Sequence, residues 1–297
     1  MQVEIDPHSG FCGGVIRAIS EAERVLDAEG GRLYSLGAIV HNEEELARLQ
    51  RRGLVTLGKE DLQQMSGPVT GETLLIRAHG EPPQVYERVK ELGFKLIDCT
   101  CPVVLGLQKK IREAYERLRA GGGQIVIFGK IGHPEVLGLV GQVDGGVTVV
   151  ETPEQLRERL EDGTLRTDRD IELFSQTTMS PEGYRQVREV LSGAMAAGAS
   201  LSVHDTICRQ VASRHRELSE FARAHDVVVF VSGKESSNGK VLCELCSRAN
   251  IRTWHIGSAD ALRREWFRPE DRVGVCGATS TPKWLLEEVA QAIKNLQ

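Results

Sequence analysis

The chain has 297 residues, of which 40% are hydrophobic and 27% charged, a composition typical of a globular protein that buries its cores without disulfide staples. Its formal net charge of −5 provides no overall basic surface, so we expect no nucleic-acid partner. No apolar run is long enough to span a bilayer and residues 1–10 lack a signal-peptide core, so we expect no membrane contact and a cytoplasmic location. In that reducing setting the seven cysteines are expected as thiols or metal ligands rather than disulfides.

Strand-like and helix-like segments alternate along the whole chain. Strands are predicted at residues 32–36, 73–77, 95–98, 124–128, 146–150, 171–174, 200–204, 227–231, 252–256 and 272–276. Helices are predicted at residues 13 to about 26, 43–51, 82–92, 103 to about 119, 153–160, 181–197, 209 to about 223, 239–249 and 282–296. Short apolar strands separated by helices predict an α/β protein with parallel sheets.

One local pattern occurs three times, at intervals of roughly one-third of the chain. An apolar run ends in an aspartate, a cysteine follows, and a helix then begins; the cysteines are Cys12, Cys101 and Cys208. The pattern places a thiol between the end of a strand and the N-terminus of a helix. It predicts three small α/β units, the thirds 1–98, 99–203 and 204–297.

Three thiols placed in this way indicate either one metal site or unrelated core residues. A helix N-terminus favours the thiolate form of cysteine and the anionic sulfurs of an iron–sulfur cluster. Three cysteine ligands leave one iron of a 4Fe–4S cluster open, and an open metal can bind a substrate oxygen as a Lewis acid. The alternative is three buried, inert cysteines. For Cys243, Cys246 and Cys276 we predict core packing, because the first two lie within a helical pattern and the third ends a strand.

Histidines and small polar residues follow the predicted strands, where ligands gather in α/β proteins. They are His41, His79, His133, Ser236, Ser237, Asn238 and Ser280. Neutral or cationic donors of this kind suit a phosphate or diphosphate, with helix N-terminal amides completing the site. The sequence has neither a Walker lysine loop nor a G-x-G-x-x-G motif, so it gives no support for nucleotide binding.

Glu135 is the carboxylate that we predict for proton transfer. It shares a loop with His133, and a partly desolvated glutamate can titrate near neutral pH. The alternative is an acidic residue that only compensates the dipole of a helix starting after Pro134. Thr177 can form a hydrogen bond beside Glu135; its alternative role is the N-cap of the helix that begins near Pro181.

Taken together, these motifs resemble those of the LytB (IspH) family, the 4-hydroxy-3-methylbut-2-enyl diphosphate reductases. The resemblance runs from Phe11-Cys-Gly-Gly14 to Ser280-Thr-Pro282. The motifs that carry it are Val40-His-Asn42, Ala78-His-Gly80, Thr100-Cys-Pro102, Gly132-His-Pro-Glu135, Gln176-Thr-Thr178, Asp205-Thr-Ile-Cys208 and Ser236-Ser-Asn238. It implies three α/β units in a pseudo-threefold (trefoil-like) arrangement around a central 4Fe–4S cluster.

The resemblance also implies a role for each candidate residue. Cys12, Cys101 and Cys208 would hold the cluster and leave one iron open. The diphosphate site would be lined by His41, His79, His133, Ser236, Ser237, Asn238 and Ser280. Glu135 would transfer the proton, and Thr177 would position the substrate hydroxyl. His133 would be the third catalytic residue.

The implied reaction is the two-electron, two-proton removal of the hydroxyl group of the allylic diphosphate as water. The products would be isopentenyl and dimethylallyl diphosphate of the non-mevalonate pathway, and electrons would come from reduced flavodoxin or ferredoxin. Two alternatives belong to other classes of protein. A non-catalytic iron–sulfur electron carrier or redox sensor would need neither Glu135 nor the histidines, and a zinc-dependent hydrolase would contain zinc rather than iron.

Overall fold

The computed structural model describes residues 1–29, 32–69 and 71–296, in which strands and helices alternate. The strands are β1 (Gln2–Ile5), β2 (Leu33–Leu36), β3 (Leu54–Leu57), β4 (Thr73–Ile76), β5 (Lys95–Asp98), β6 (Gln124–Phe128), β7 (Val147–Val150), β8 (Ile171–Ser175), β9 (Leu201–Val203), β10 (Val227–Val231), β11 (Thr253–Ile256) and β12 (Arg272–Gly277). The helices are α1 (Gly13–Glu29), α2 (Glu43–Arg51), α3 (Lys59–Gln64), α4 (Pro83–Glu91), α5 (Pro102–Leu118), α6 (Pro134–Val140), α7 (Pro153–Glu161), α8 (Pro181–Ala194), α9 (Arg209–Arg223), α10 (Ser237–Ala249) and α11 (Lys283–Asn295).

The strands form three parallel sheets with helices, so the predicted α/β class is confirmed. The apolar run before Cys12 forms β1. Three further elements lie outside the predicted ranges, namely β3, α3 and α6, the last of which was expected only as a helix start after Pro134. Each is short, at four, six and seven residues, so none provides a periodic pattern long enough to recognise.

The chain divides into two compact units. Unit 1 comprises Met1–Asp61, Glu72–Arg77 and the segment that begins at Arg209, and unit 2 comprises Leu62–Gly71 and Ala78–Cys208. The division into thirds at residues 98/99 and 203/204 stays a prediction.

Unit 1 contains the sheet β1-β12-β10-β11, whose middle strands are buried on both faces. All five residues of β10 are buried. Successive side chains of a strand point to opposite faces, so Val229 and Phe230 enter separate cores, one with Leu286 of α11 and the other with Leu242 of α10. In the same unit β2 pairs in parallel with β3 and β4.

Unit 2 contains the sheet β7-β6-β8-β9, which is built in the same way. Val126 and Leu173 pack with Val187 of α8 on one face, and Ile127 packs with Ile111 of α5 on the other. Both faces of these two sheets are covered by helices. Ligands are therefore expected at the ends of the parallel strands, where loops carry polar residues.

The described residues include no helix that is both long and apolar enough to cross a membrane.

Candidate functional site

Each of the three candidate cysteines immediately precedes a helix, as the sequence predicts. Cys12 precedes α1, Cys101 is the N-cap of α5, and Cys208 precedes α9. All three are half-buried. Unpaired amide groups at a helix N-terminus stabilise nearby negative charge, so these positions suit the anionic sulfurs of a metal cluster.

The amide of each cysteine donates a hydrogen bond to a main-chain carbonyl of a neighbouring loop. The three bonds are Cys12 to Thr279 at 3.0 Å, Cys101 to Ala78 at 3.0 Å and Cys208 to Thr177 at 2.9 Å. In every case the acceptor either is a candidate site residue or immediately precedes one: Thr279 precedes Ser280, Ala78 precedes His79, and Thr177 is itself a candidate. The thiol loops are therefore hydrogen-bonded to the loops that carry the candidate polar residues.

The remaining cysteines have a different chemical environment. Cys99, Cys246 and Cys276 are buried, and the last two belong to one core cluster, as predicted for core cysteines. Burial raises the pKa of Cys276 well above its usual value and raises the pKa of Cys243 to about 11. Cys243 and Cys276 therefore stay protonated near neutral pH, whereas half-buried thiols at helix N-termini suit an iron–sulfur cluster. Cys12, Cys101 and Cys208 therefore each have, taken one by one, the environment of a cluster ligand.

His133 and His79 lie together in unit 2. Their ring centroids are 5.2 Å apart with an interplanar angle of 80°. His133 is the N-cap of α6, and its Nδ1 accepts a hydrogen bond from the Glu135 amide at 3.2 Å. That bond assigns the proton of the neutral His133 ring to Nε2. The ring can thus donate from Nε2 without losing its place at the start of the helix.

Glu135 is a fully buried carboxyl group whose two oxygens both bind Thr177. Its Oε1 accepts from the Thr177 amide at 2.7 Å, and its Oε2 accepts from the Thr177 hydroxyl at 2.8 Å. Burial raises the pKa of Glu135 from 4.5 to about 7, although the two Thr177 hydrogen bonds act to lower it. A carboxyl group with this pKa can either hold or release a proton near neutral pH, as a general acid must.

The structure excludes the capping alternative for Thr177 and gives the Glu135 carboxyl group a specific partner. Thr177 is not the N-cap of α8, because Ser180 caps that helix by accepting from the Gly183 amide. Ser180 directly precedes Pro181 at the first helical position, which is the usual arrangement of an N-cap and proline. Glu135 does lie in the first turn of α6, but its carboxylate binds Thr177 rather than only facing the helix dipole.

In unit 1 the loop after β10 joins the loop after β12. Ser236 is the N-cap of α10, and its Oγ lies 2.9 Å from the Oγ of Ser280. Asn238 Oδ1 accepts from both the amide and the hydroxyl of Thr279, at 3.2 and 2.9 Å. Asn238 Nδ2 is buried and has no hydrogen-bond partner among the described residues. A buried amide donor without a partner suits a polar ligand, since leaving it unpaired is costly.

His41 lies beside these loops in the same unit. A Cβ placed on Gly233 would lie 2.4 Å from the His41 carbonyl oxygen, so the two backbones touch. The Lys234 amide donates to Glu43 Oε1 at 3.1 Å, and Asn42 caps α2. The structure therefore brings His41 next to the segment that leads to Ser236, while Ser237 is the first residue of α10.

Two residues that hold the cysteine loops were not among the sequence-predicted candidates. Ser9 accepts a hydrogen bond from the Gly277 amide, and Thr206 both accepts from the Ser175 amide and donates to the Ser175 carbonyl. The only signal in the sequence is a hydroxyl residue two or three positions before a cysteine, which is too common to be recognised by itself.

These features define an α/β protein with one set of thiols suited to a metal cluster, one buried acid and one set of neutral donors suited to an anion. The model of the LytB protein family matches residues 3–294, and the chain belongs to this family.

Curated relatives match along the whole length. A protein of Porphyromonas gingivalis is 46% identical over 99% of this chain and 99% of its own, and one of Parabacteroides distasonis is 48% identical over 100% and 98%. Both are named 4-hydroxy-3-methylbut-2-enyl diphosphate reductase.

Two solved structures have the same fold. One, described as (E)-4-hydroxy-3-methyl-but-2-enyl diphosphate reductase, the terminal enzyme of the non-mevalonate pathway, is 32% identical with a TM-score of 0.69 and covers 99% of this chain and 100% of its own. The other, a diphosphate reductase from Plasmodium falciparum, has a TM-score of 0.83 at 22% identity and covers 98% and 87%.

Proposed function

We propose that the chain is a 4-hydroxy-3-methylbut-2-enyl diphosphate reductase, an oxidoreductase of the non-mevalonate isoprenoid pathway. The observation that carries this proposal beyond family membership is the contact between Glu135 and Thr177. The carbonyl of Thr177 accepts from the Cys208 amide, so a buried acid with a pKa of about 7 is joined through one residue to the loop of a candidate iron ligand. An electron carrier has no use for such an acid, and the chemistry of this arrangement is that of coupled proton and electron delivery.

The cofactor belongs to the same proposal. Cys12, Cys101 and Cys208 would hold a 4Fe–4S cluster with one open iron, one thiol coming from each predicted third. When bound, the cluster supplies the two electrons and a Lewis-acid iron for the substrate hydroxyl.

Glu135 gives its proton to the hydroxyl oxygen, which leaves as water when the C–O bond breaks. A second proton and the two electrons complete the hydrocarbon as isopentenyl or dimethylallyl diphosphate. Thr177 fixes the direction of the Glu135 carboxyl group through its amide and its hydroxyl, and His133 holds the Glu135 amide. The carboxyl group is buried, so its proton reaches the substrate rather than bulk water.

Neutral and cationic donors bind the diphosphate. In unit 1 these are Ser236, Ser237, Asn238 and Ser280 with His41, and in unit 2 they are His79 and His133. Hydroxyl, amide and imidazole groups bind the anion by hydrogen bonds, and none of them carries a permanent charge. The electron donor we propose is a reduced flavodoxin or ferredoxin, and the location we propose is the cytoplasm.

Anaerobic purification followed by an assay tests the proposal. The protein should be brown, with absorbance near roughly 410 nm, and should convert the allylic alcohol diphosphate when a low-potential reductant is supplied. A brown protein without turnover would favour the electron carrier or sensor. A colourless protein with stoichiometric zinc would favour the hydrolase and refute the proposal.

A further inference from the structure

Thr206 connects the loop of Cys208 to strand β8. Its side chain is buried, its Oγ1 accepts from the Ser175 amide at 2.8 Å, and the same hydroxyl donates to the Ser175 carbonyl at 2.8 Å. On either side of this contact the main chain provides the bonds. The His204 amide donates to Leu173, and the Cys208 amide donates to Thr177, both at 2.9 Å.

The result is a continuous series of contacts that runs from β8 and the end of β9 into the loops that follow them. Residues 204, 206 and 208 contact residues 173, 175 and 177 in turn, and only the middle contact uses a side chain. β9 ends at Val203, so the backbone of residues 205–207 has left the ladder. A single hydroxyl satisfies both main-chain groups of Ser175, which is fully buried and would otherwise leave them unpaired.

The same series occurs independently in unit 1. The Asp6 amide donates to Val275 at 2.9 Å, the Gly277 amide donates to Ser9 Oγ at 2.9 Å, and the Cys12 amide donates to Thr279 at 3.0 Å. The middle contact again uses a side-chain hydroxyl. Its partner Gly277 again lies two residues before the residue, Thr279, whose carbonyl accepts from the cysteine amide. Two separate stretches of the chain therefore use the same device at a candidate iron ligand.

The two hydroxyls are held in different ways. The proton of Thr206 points to the Ser175 carbonyl, whereas the proton of Ser9 points to Asp6 Oδ2 at 2.6 Å. Asp6 is in turn paired with Arg214 Nη2 at 2.5 Å, and both side chains are buried. The Ser9 contact is thus part of an ionic network, and the Thr206 contact is a simple two-bond clamp that can be removed without exposing a charge.

We propose that Thr206 and Ser9 are positioning residues for the loops of Cys208 and Cys12, respectively. Each fixes its cysteine loop relative to a neighbouring loop that carries a substrate-binding or proton-transferring residue. For Thr206 that residue is Thr177, which binds both Glu135 and the Cys208 amide; for Ser9 it is Ser280, next to Thr279. The kinetic consequence rests on the proposed reductase function, but the structural consequence does not.

Thr206→Val tests the clamp, because valine keeps the shape of threonine and lacks the hydroxyl. Thr206→Ser keeps the hydroxyl and should rescue the defect. Thr152→Val is the matched control. The Thr152 hydroxyl also makes a contact in unit 2, where it accepts from the Gln155 amide as the N-cap of α7, but its loop carries no cysteine. The three variants would be prepared anaerobically as holoenzymes, with iron content and hydrogen–deuterium exchange measured beside turnover.

In Thr206→Val we expect amide exchange to accelerate about tenfold or more in peptides covering residues 173–177 and 204–208. We expect kcat to fall about tenfold with KM within about twofold, because a small displacement of the proton-transfer group slows the reaction more than it weakens binding. Thr206→Ser should stay within about twofold of the unchanged protein in both measurements. In Thr152→Val the exchange of these peptides and the iron content should not change.

Unchanged exchange and kcat in Thr206→Val would overturn the proposal, as would a Thr206→Ser variant as defective as Thr206→Val. Equal effects of Thr152→Val on the same peptides would also overturn it, because they would indicate general destabilisation. If Thr206→Val does not fold, Ser9→Ala should show faster exchange at residues 277–279, and no change there refutes the proposal. Absence of reductase activity in the unchanged protein would refute the proposed function alone. Amide exchange and iron content would still test whether Thr206 positions the Cys208 loop.

Discussion

Glu135 in unit 2 and Asn238 in unit 1 are both buried polar side chains, but their hydrogen bonds are completed to different extents. Both oxygens of Glu135 accept from Thr177, and its pKa is raised to about 7. Asn238 uses only Oδ1, and its Nδ2 donor has no partner among the described residues. Glu135 is therefore held ready as an acid before substrate arrives, whereas Asn238 keeps a donor for a ligand that has still to bind.

The difference teaches how the two tasks of the proposed reaction are separated. A group that transfers a proton must be preorganised and titratable, so it is buried with its partners already in place. Ser236, Ser280 and Asn238 offer donors whose charge does not change with pH, which suits them to bind an anion. Changes at Glu135 should therefore affect the rate of the chemical step, and changes at these three residues should affect substrate binding.

Cys101→Ser should have the largest effect, because it removes a proposed iron ligand. We expect loss of the cluster and of all turnover, measured as iron and sulfide content and as product formation under anaerobic conditions. Cys243→Ser is the control, since Cys243 lies inside α10 and packs against a core cluster. Full iron content in Cys101→Ser would contradict the ligand assignment.

Glu135→Gln should leave cluster and binding intact and slow turnover by about 10²-fold or more, the scale expected for a positioned acid. The unchanged enzyme needs the protonated acid, so its rate should fall as the pH rises through about 7, the pKa of Glu135. The glutamine variant should lose that decline, which a pH series of kcat measures. A variant with unchanged kcat would instead support an electron carrier.

His41→Ala should change binding rather than chemistry. Losing a hydrogen bond to a charged ligand is expected to raise KM about tenfold or more, with kcat changed much less. His215→Ala on α9 provides a histidine control outside the candidate set. An unchanged KM in His41→Ala would remove this residue from the diphosphate site.

The last effect concerns stability rather than activity, because the Glu135 proton also makes stability depend on pH. The folded state keeps the Glu135 proton up to a pH of about 7, while the unfolded chain loses it near 4.5, so the folded state binds more protons between these values. The contribution of Glu135 to the free energy of unfolding should therefore be highest below pH 4.5 and fall as the pH rises to 7, by up to about 3 kcal/mol. Denaturant titrations of the unchanged protein and of Glu135→Gln should differ by this slope; equal slopes would contradict the raised pKa.

Much of the fold could be predicted because most helices begin with clear signals. The predicted bounds of α2 coincide with those observed, and proline at the first turn marks α7 and α8 correctly. β3 could not be recognised, because its four residues are buried only at their two ends, Leu54 and Leu57, and show no alternation. α6 was expected only as a helix start after Pro134, and its extent could not be predicted because Gly138 interrupts a helix of only seven residues.

The candidate site was predictable in its residue types but not in its contacts. The position of Glu135 in a loop after a strand favours a role in proton transfer. Only the fold shows that both its oxygens bind a residue 42 positions further along the chain. The N-cap alternative for Thr177 was wrong because local capping signals at Thr177 and Ser180 are equivalent until the hydroxyl of Thr177 is seen to bind Glu135. Ser9 and Thr206 were missed for the same reason, since their partners are far away in sequence.

The hydrogen bonds donated by the amides of Cys12, Cys101 and Cys208 join protein groups only and need no metal to form. Small zinc-finger domains, by contrast, unfold when their metal is removed. We therefore expect damage to the cluster by oxygen to leave a folded polypeptide with its thiol loops in place. Such a chain could be repaired by reinsertion of iron and sulfide, without degradation and new synthesis.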